Sequence, residues 1–225
     1  MLSKNLQDIF SNISKGNNLG EPITLVGATK MVDVDTINKA ISLGLKVVAE
    51  NKVQEFNAKH DYIVGAEEHF IGHLQTNKVK YLVGKVSLIH SVDSFKLASE
   101  IDRVCKNKNV KQNILIEVNI GGELSKSGFS LEKAFDATVE IANKYPNLLV
   151  KGLMAMLPHS DDEGLLKNLC LKMRELYDKL KSCGLPFEFL SMGMSNDYTV
   201  AINNGSNMIR LGRTIFGERN YGEVK

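Results

Sequence analysis

Eight short apolar, β-prone runs alternate with stretches of helical spacing, and this alternation constrains the fold more than any other feature. The runs fall at 23–26, 46–49, 69–72, 86–90, 113–119, 148–156, 188–190 and 207–211. Between them, apolar residues recur every three or four positions. Val34, Ile37, Ala40 and Ile41 follow the capping residue Asp33, and Leu165, Leu169, Met173, Leu176 and Leu180 follow Asp161 and Asp162. A side chain that repeats at this interval lies on one helix face, so each segment can cover a sheet. No two adjacent runs are joined by a two-residue turn, which argues against a meander of hairpins. Strands separated by helices must run parallel, and eight of them predict a closed (β/α)8 barrel. A doubly wound open sheet is the alternative, but no GxGxxG follows the first strand. An amphipathic helix precedes the first strand, with Leu6, Ile9, Phe10 and Ile13 on one face.

A chain of 225 residues that is 43% hydrophobic can bury one sizeable core and is short for two, so one domain spanning 1–225 is expected. The net charge of +2 is spread along the chain without a basic tract, which argues against nucleic acid as a partner. No run approaches the roughly 18 apolar residues of a membrane helix, and the first residues lack a signal-peptide core, so a cytoplasmic protein is expected. Cys105, Cys170 and Cys183 are far apart and read as reduced thiols. His69 and His73 have the separation of a helical metal pair, but on a strand end they would stand about 13 Å apart, so no metal site is expected.

The first strand runs through Thr24-Leu25-Val26-Gly27-Ala28 into Thr29-Lys30. Small residues therefore deliver a lysine at a strand's carboxyl end, where parallel barrels keep their chemistry. An amine placed there can condense with a carbonyl compound or with pyridoxal phosphate; the other reading is a solvated lysine that opens a surface loop.

The last two strands run into Ser191-Met192-Gly193-Met194-Ser195-Asn196-Asp197 and Leu211-Gly212-Arg213-Thr214. Each loop sets a glycine and hydroxyls before a helix start, where free N–H groups and the helix dipole attract an anion. Barrels commonly bind phosphate after strands seven and eight. Either loop alone would serve as a plain N-cap through Ser195 or Thr214. Arg210 lies just before the second loop. Its guanidinium stays charged and cannot accept a hydrogen bond, so facing a pyridine nitrogen it would leave that nitrogen unprotonated and limit carbanion chemistry. The loop 121–128 is rich in glycine and serine and suits a rim or lid, with Lys126 expected as a solvated loop lysine.

With Gly27-Ala28-Thr29-Lys30, Glu50-Asn51-Lys52-Val53-Gln54-Glu55, His69-Phe70-Ile71-Gly72-His73-Leu74-Gln75-Thr76-Asn77-Lys78, Glu117-Val118-Asn119, Ser125-Lys126-Ser127-Gly128, Gly152-Leu153-Met154, Ser191-Met192-Gly193-Met194-Ser195 and Arg210-Leu211-Gly212 through Phe216-Gly217-Glu218-Arg219, the chain resembles the pyridoxal phosphate homeostasis protein family. These proteins are known as YggS in bacteria and PROSC in animals. The resemblance implies a barrel like the N-terminal domain of alanine racemase, without that enzyme's C-terminal β domain. It further implies pyridoxal 5′-phosphate held as an internal aldimine on Lys30, with Asn51 in the site. Ser191, Gly193, Ser195, Gly212 and Thr214 are implied around the phosphate and Arg210 at the ring nitrogen, with Arg213 also at the cofactor site, its side chain either adding to the phosphate contacts or pointing away. Ala49, where a glycine often precedes Glu-Asn, and Arg213, where a small residue often follows Gly212, depart from the family pattern.

Three functions fit a lysine beside phosphate loops. The resemblance favours a non-catalytic protein that holds pyridoxal phosphate and hands it over, with apo-enzymes that use this cofactor as further partners and a monomer as the expected state. An amino-acid racemase would need a second acid/base facing Lys30 across the cofactor. A cofactor-free Schiff-base lyase on a sugar phosphate would need only the lysine and the phosphate loops.

Overall fold

Nine strands, eight α-helices and two short 3-10 helices follow one another along the computed structural model, which describes residues 1–123 and 126–218. Leu124, Ser125 and Arg219 of the motifs above lie outside the described residues. The strands are β1 Thr24–Ala28, β2 Val47–Glu50, β3 Glu67–Phe70, β4 Leu88–Val92, β5 Gln112–Asn119, β6 Phe129–Ser130, β7 Leu148–Ala155, β8 Phe189–Ser191 and β9 Met208–Leu211. All pairings are parallel, and the order β4-β3-β2-β1-β9-β8-β7-β5 closes through the β4–β5 pairing. The result is an eight-stranded parallel barrel. The two-residue β6 hangs on the outside of β5 as a ninth strand.

Alternation along each strand sorts the core into two layers. Val26, Val47, Leu88, Leu115, Met154 and Met208 fill the barrel interior. Their chain neighbours Leu25, Val48, Ile89, Ile114, Leu153 and Ile209 point outward beneath the helices. The helices are α1 Leu2–Ile13, α2 Val34–Ser42, α3 Val53–Lys59, α4 Phe95–Lys108, α5 Leu131–Lys144, α6 Glu163–Ser182, α7 Tyr198–Ile202 and α8 Arg213–Phe216. Asp33, Ser94 and Asp162 each accept a hydrogen bond from the backbone N–H three residues on, which starts α2, α4 and α6 where the sequence places them.

Two features set up the site. β1 lies between β2 and β9, with Val26 opposite Arg210 and Gly27 opposite Leu211, so the first barrel strand meets the last. Helix α1 covers the outside of that seam. Leu6 and Ile9 pack with Leu25, Ile209 and Ile215, and the Asn5 side-chain amide donates to the Ile215 carbonyl at 3.0 Å.

Candidate functional site

The carboxyl ends of the strands surround a cavity of about 610 Å³. Lys30 after β1, Asn51 after β2, Gly72 after β3, Met156 after β7, Ser195 after β8 and Gly212 after β9 all line it. Lys30 is half-buried. The residue after it, Met31, has φ +59. An L side chain in that left-handed region costs about 1–2 kcal/mol, so contacts elsewhere must hold this turn. Two strands along the rim, Gly72 is needed sterically: a Cβ there would lie 2.0 Å from the Asn51 carbonyl oxygen. Asn51 itself presents a buried Oδ1 with no hydrogen-bond partner among the described residues.

The loops after β8 and β9 come together. The Thr214 N–H donates to Ser195 Oγ at 3.4 Å, and Arg213 reaches across the surface to Asn196 Oδ1 at 3.1 Å. Among the described residues no acceptor faces the backbone N–H groups of Ser195, Asn196, Gly212 and Arg213. Four free donors at one end of a cavity suit an anion with several oxygens. Gly193 lies outside the cavity lining. It turns the chain with φ +98 against α7, where a Cβ would meet Tyr198 and Ala201 at 2.9 Å. Ser191 and Thr214 do not line the cavity either.

Arg210 is buried in the barrel and reaches the cavity. Nη1 donates to the Ser191 carbonyl at 3.0 Å and to its Oγ at 2.6 Å, and Nη2 donates to the Ala155 carbonyl at 3.1 Å. Burial pulls its pKa down to about 10, against the opposing pull of Glu117 and Asp197, so it remains charged at neutral pH. Glu117, on the inner face of β5, is pushed up to about 7 by burial and by Asp93, while Arg210 draws it back. His69 Nδ1 and His90 Nε2 share a hydrogen bond of 3.0 Å deeper in the barrel. Burial holds His69 down at about 3 and His90 well below the usual histidine range, so both are neutral.

Lys126, expected to be solvated, lines the cavity, pairs with Glu123 and donates to the Leu157 carbonyl at 3.4 Å. His69 and His73 diverge, His69 pointing into the barrel and His73 standing at the cavity rim beside Asp93 at 3.3 Å. The sequence reading places neither Glu117 nor His90 at the site, although Glu117 stands in one of the family motifs. Their signal is a polar residue at the inward position of an apolar strand, as in Leu115-Glu117-Asn119.

These donors fit a phosphorylated aldehyde. An amine, a cluster of free N–H groups, a buried cation and an unpartnered amide oxygen open on one cavity. The fold and site define an alanine-racemase-type barrel, and the family model described as alanine racemase, N-terminal domain, matches residues 5–220. A pyridoxal phosphate homeostasis protein of Aquifex aeolicus is 42% identical over 222 residues, 96% of this chain and 94% of that protein. One from Helicobacter pylori is 35% identical over 87% of this chain and 88% of its own length. The chain belongs to the pyridoxal phosphate homeostasis protein family. Among solved structures, PipY of Synechococcus elongatus with PLP bound superposes with a TM-score of 0.84 at 25% identity, covering 96% of this chain and all of that one. Alanine racemase of Clostridium difficile shares the fold at a TM-score of 0.77 and 16% identity, with 58% of its chain covered.

Proposed function

We propose that this chain binds pyridoxal 5′-phosphate in the barrel mouth, carries it covalently on Lys30, and serves intracellular homeostasis of that cofactor as a binding protein rather than a catalyst. The observation that carries the reading is that Lys30, Arg210 and the free N–H groups of the last two loops open on one cavity. The bound group supplies an aldehyde, which condenses with a primary amine and releases water. In this reading Ser195, Asn196, Gly212 and Arg213 offer backbone N–H groups to the phosphate. Asn51 lends its unpartnered amide to the polar edge of the ring. Arg210, held by Ser191 and Ala155, presents a charge at the ring nitrogen and offers no acceptor for a proton there. That choice weakens the cofactor as an electron sink and favours storage over turnover.

The relatives' names point the same way, and so does the lining of the cavity. Racemisation needs an acid/base on each face of the α-carbon, and among the described residues that line the cavity there is no tyrosine to stand opposite Lys30. Monomeric behaviour and handover to apo-enzymes belong to the same proposal. Its test is borohydride reduction of the protein loaded with pyridoxal phosphate, followed by peptide mass spectrometry. The label is expected on Lys30, and Lys30→Ala is expected to lose both the label and the yellow absorption while keeping its far-UV circular dichroism. A label on Lys126 or Lys78 in the wild type overturns the assignment.

A further inference from the structure

Behind Lys30, on the outer side of the barrel wall, Glu50, Glu55 and Lys59 form a cluster. Lys59 Nζ donates to Glu50 Oε1 at 2.7 Å, to Glu55 Oε2 at 3.3 Å and to the Thr29 carbonyl at 2.9 Å. Glu55 Oε2 accepts the Met31 backbone N–H at 2.7 Å, and Glu50 Oε1 accepts the Thr29 hydroxyl at 2.7 Å. The side chains of Lys59 and Glu50 are only 14% and 5% exposed, so the cluster is largely shielded from water.

The targets of these bonds are what matters. The Thr29 carbonyl belongs to the peptide group before Lys30, and the Met31 N–H to the one after it. Both peptide planes that bracket the lysine are therefore tied to one ionic cluster, on the side away from the cavity. A pair that served stability alone would need only Lys59 and Glu50. Glu55 adds a tie at the residue whose backbone sits in the unfavourable left-handed region. We infer that Lys59 and Glu55 are positioning residues for Lys30: they hold the 29–31 turn so that the Lys30 side chain enters the cavity in one direction. The inference rests on Lys30 being the attachment residue proposed above.

The test separates attachment from binding. Attachment is followed by the rise of the yellow absorption after mixing with pyridoxal phosphate, and binding by the affinity for pyridoxine 5′-phosphate, which lacks the aldehyde. A misaimed nucleophile loses rate steeply, so Lys59→Met is expected to slow attachment by about 10-fold or more while pyridoxine 5′-phosphate affinity stays within about 2-fold. Lys59→Arg is expected to restore most of the rate. Glu55→Gln keeps an oxygen for the Met31 N–H but loses the charge, and is expected to slow attachment by about 3-fold or more. It decides the matter alone if Lys59→Met fails to fold. Equal losses in rate and affinity, or unchanged rates in both variants, overturn the inference. Borohydride labelling of the wild type keeps the two readings apart. A label off Lys30 overturns the attachment site and this inference with it, whereas a label on Lys30 with unchanged variant rates overturns the inference alone.

Discussion

Arg210 on β9 grips Ser191 on β8 twice through one nitrogen, at the carbonyl and at the hydroxyl, and so holds a buried positive charge across two neighbouring strands. Removing the hydroxyl leaves the guanidinium short of one acceptor in a place water reaches poorly. A hydrogen bond to a charged group is worth about 1.5–3 kcal/mol, and Ser191→Ala is expected to destabilise the fold by that amount in urea unfolding. No loss of stability would mean that the carbonyls of Ser191 and Ala155 suffice for Arg210.

The Thr214 backbone N–H donates to Ser195 Oγ through a long hydrogen bond, which leaves the Ser195 hydroxyl proton free to turn toward an anion in the cavity. Ser195→Ala is expected to weaken pyridoxal phosphate binding by about 10-fold or more and pyridoxal binding only slightly, because a lost bond to a charged group is worth about 1.5–3 kcal/mol. Titration calorimetry with the two ligands checks this. Equal losses would assign the hydroxyl to holding the loops alone.

Glu117 gives the fold a pH dependence of definite sign. Its carboxyl ionises near 4.5 in the unfolded chain and at about 7 in the folded one. Its contribution to stability is therefore complete below about 4.5 and is lost as pH rises through about 7. Glu117→Gln removes this loss. Relative to wild type the variant is expected to gain stability between about pH 5 and about pH 8, by up to about 3 kcal/mol, measured by urea unfolding at each pH. A difference that does not change with pH would place the carboxylate in a wetter site than its burial indicates.

With Arg210 at the ring nitrogen as proposed, and with no tyrosine lining the cavity among the described residues, the loaded protein is expected to exchange the α-proton of L-alanine slowly and to racemise it negligibly. Incubation in deuterated water, with deuteration and chirality followed over time, checks it. Turnover at roughly 1 per second or faster would restore the racemase reading.

The barrel was legible because eight apolar runs, each too short to be a helix, had to pair in parallel through the helices between them. Boundaries shifted where side-chain character and backbone geometry part company. The apolar run at 69–72 suggests a strand, but β3 ends at Phe70, and Gly72 belongs to a turn pressed against the Asn51 carbonyl. The run at 86–90 is displaced likewise, to Leu88–Val92, a strand with a register shift against β5 between Ile89 and Val92. The two-residue β6 was invisible, since Phe129 and Ser130 follow a glycine-rich loop and carry no period. At the site, Lys30 and the last two loops could be placed from local order alone. The Lys59 cluster could not, because the spacing of Glu55 and Lys59 looks like any surface pair on a helix. Only folding brings them behind Thr29.

The seam between β1 and β9 has a consequence for biosynthesis. Lys30 leaves the ribosome early, whereas Arg210 and Gly212 emerge some 180 residues later and share a cavity with it only once β9 has paired with β1. A nascent chain therefore displays the amine without the pocket. In the proposed binding mode, capture of the aldehyde has to wait for ring closure, so loading with cofactor doubles as a readout that the barrel has closed.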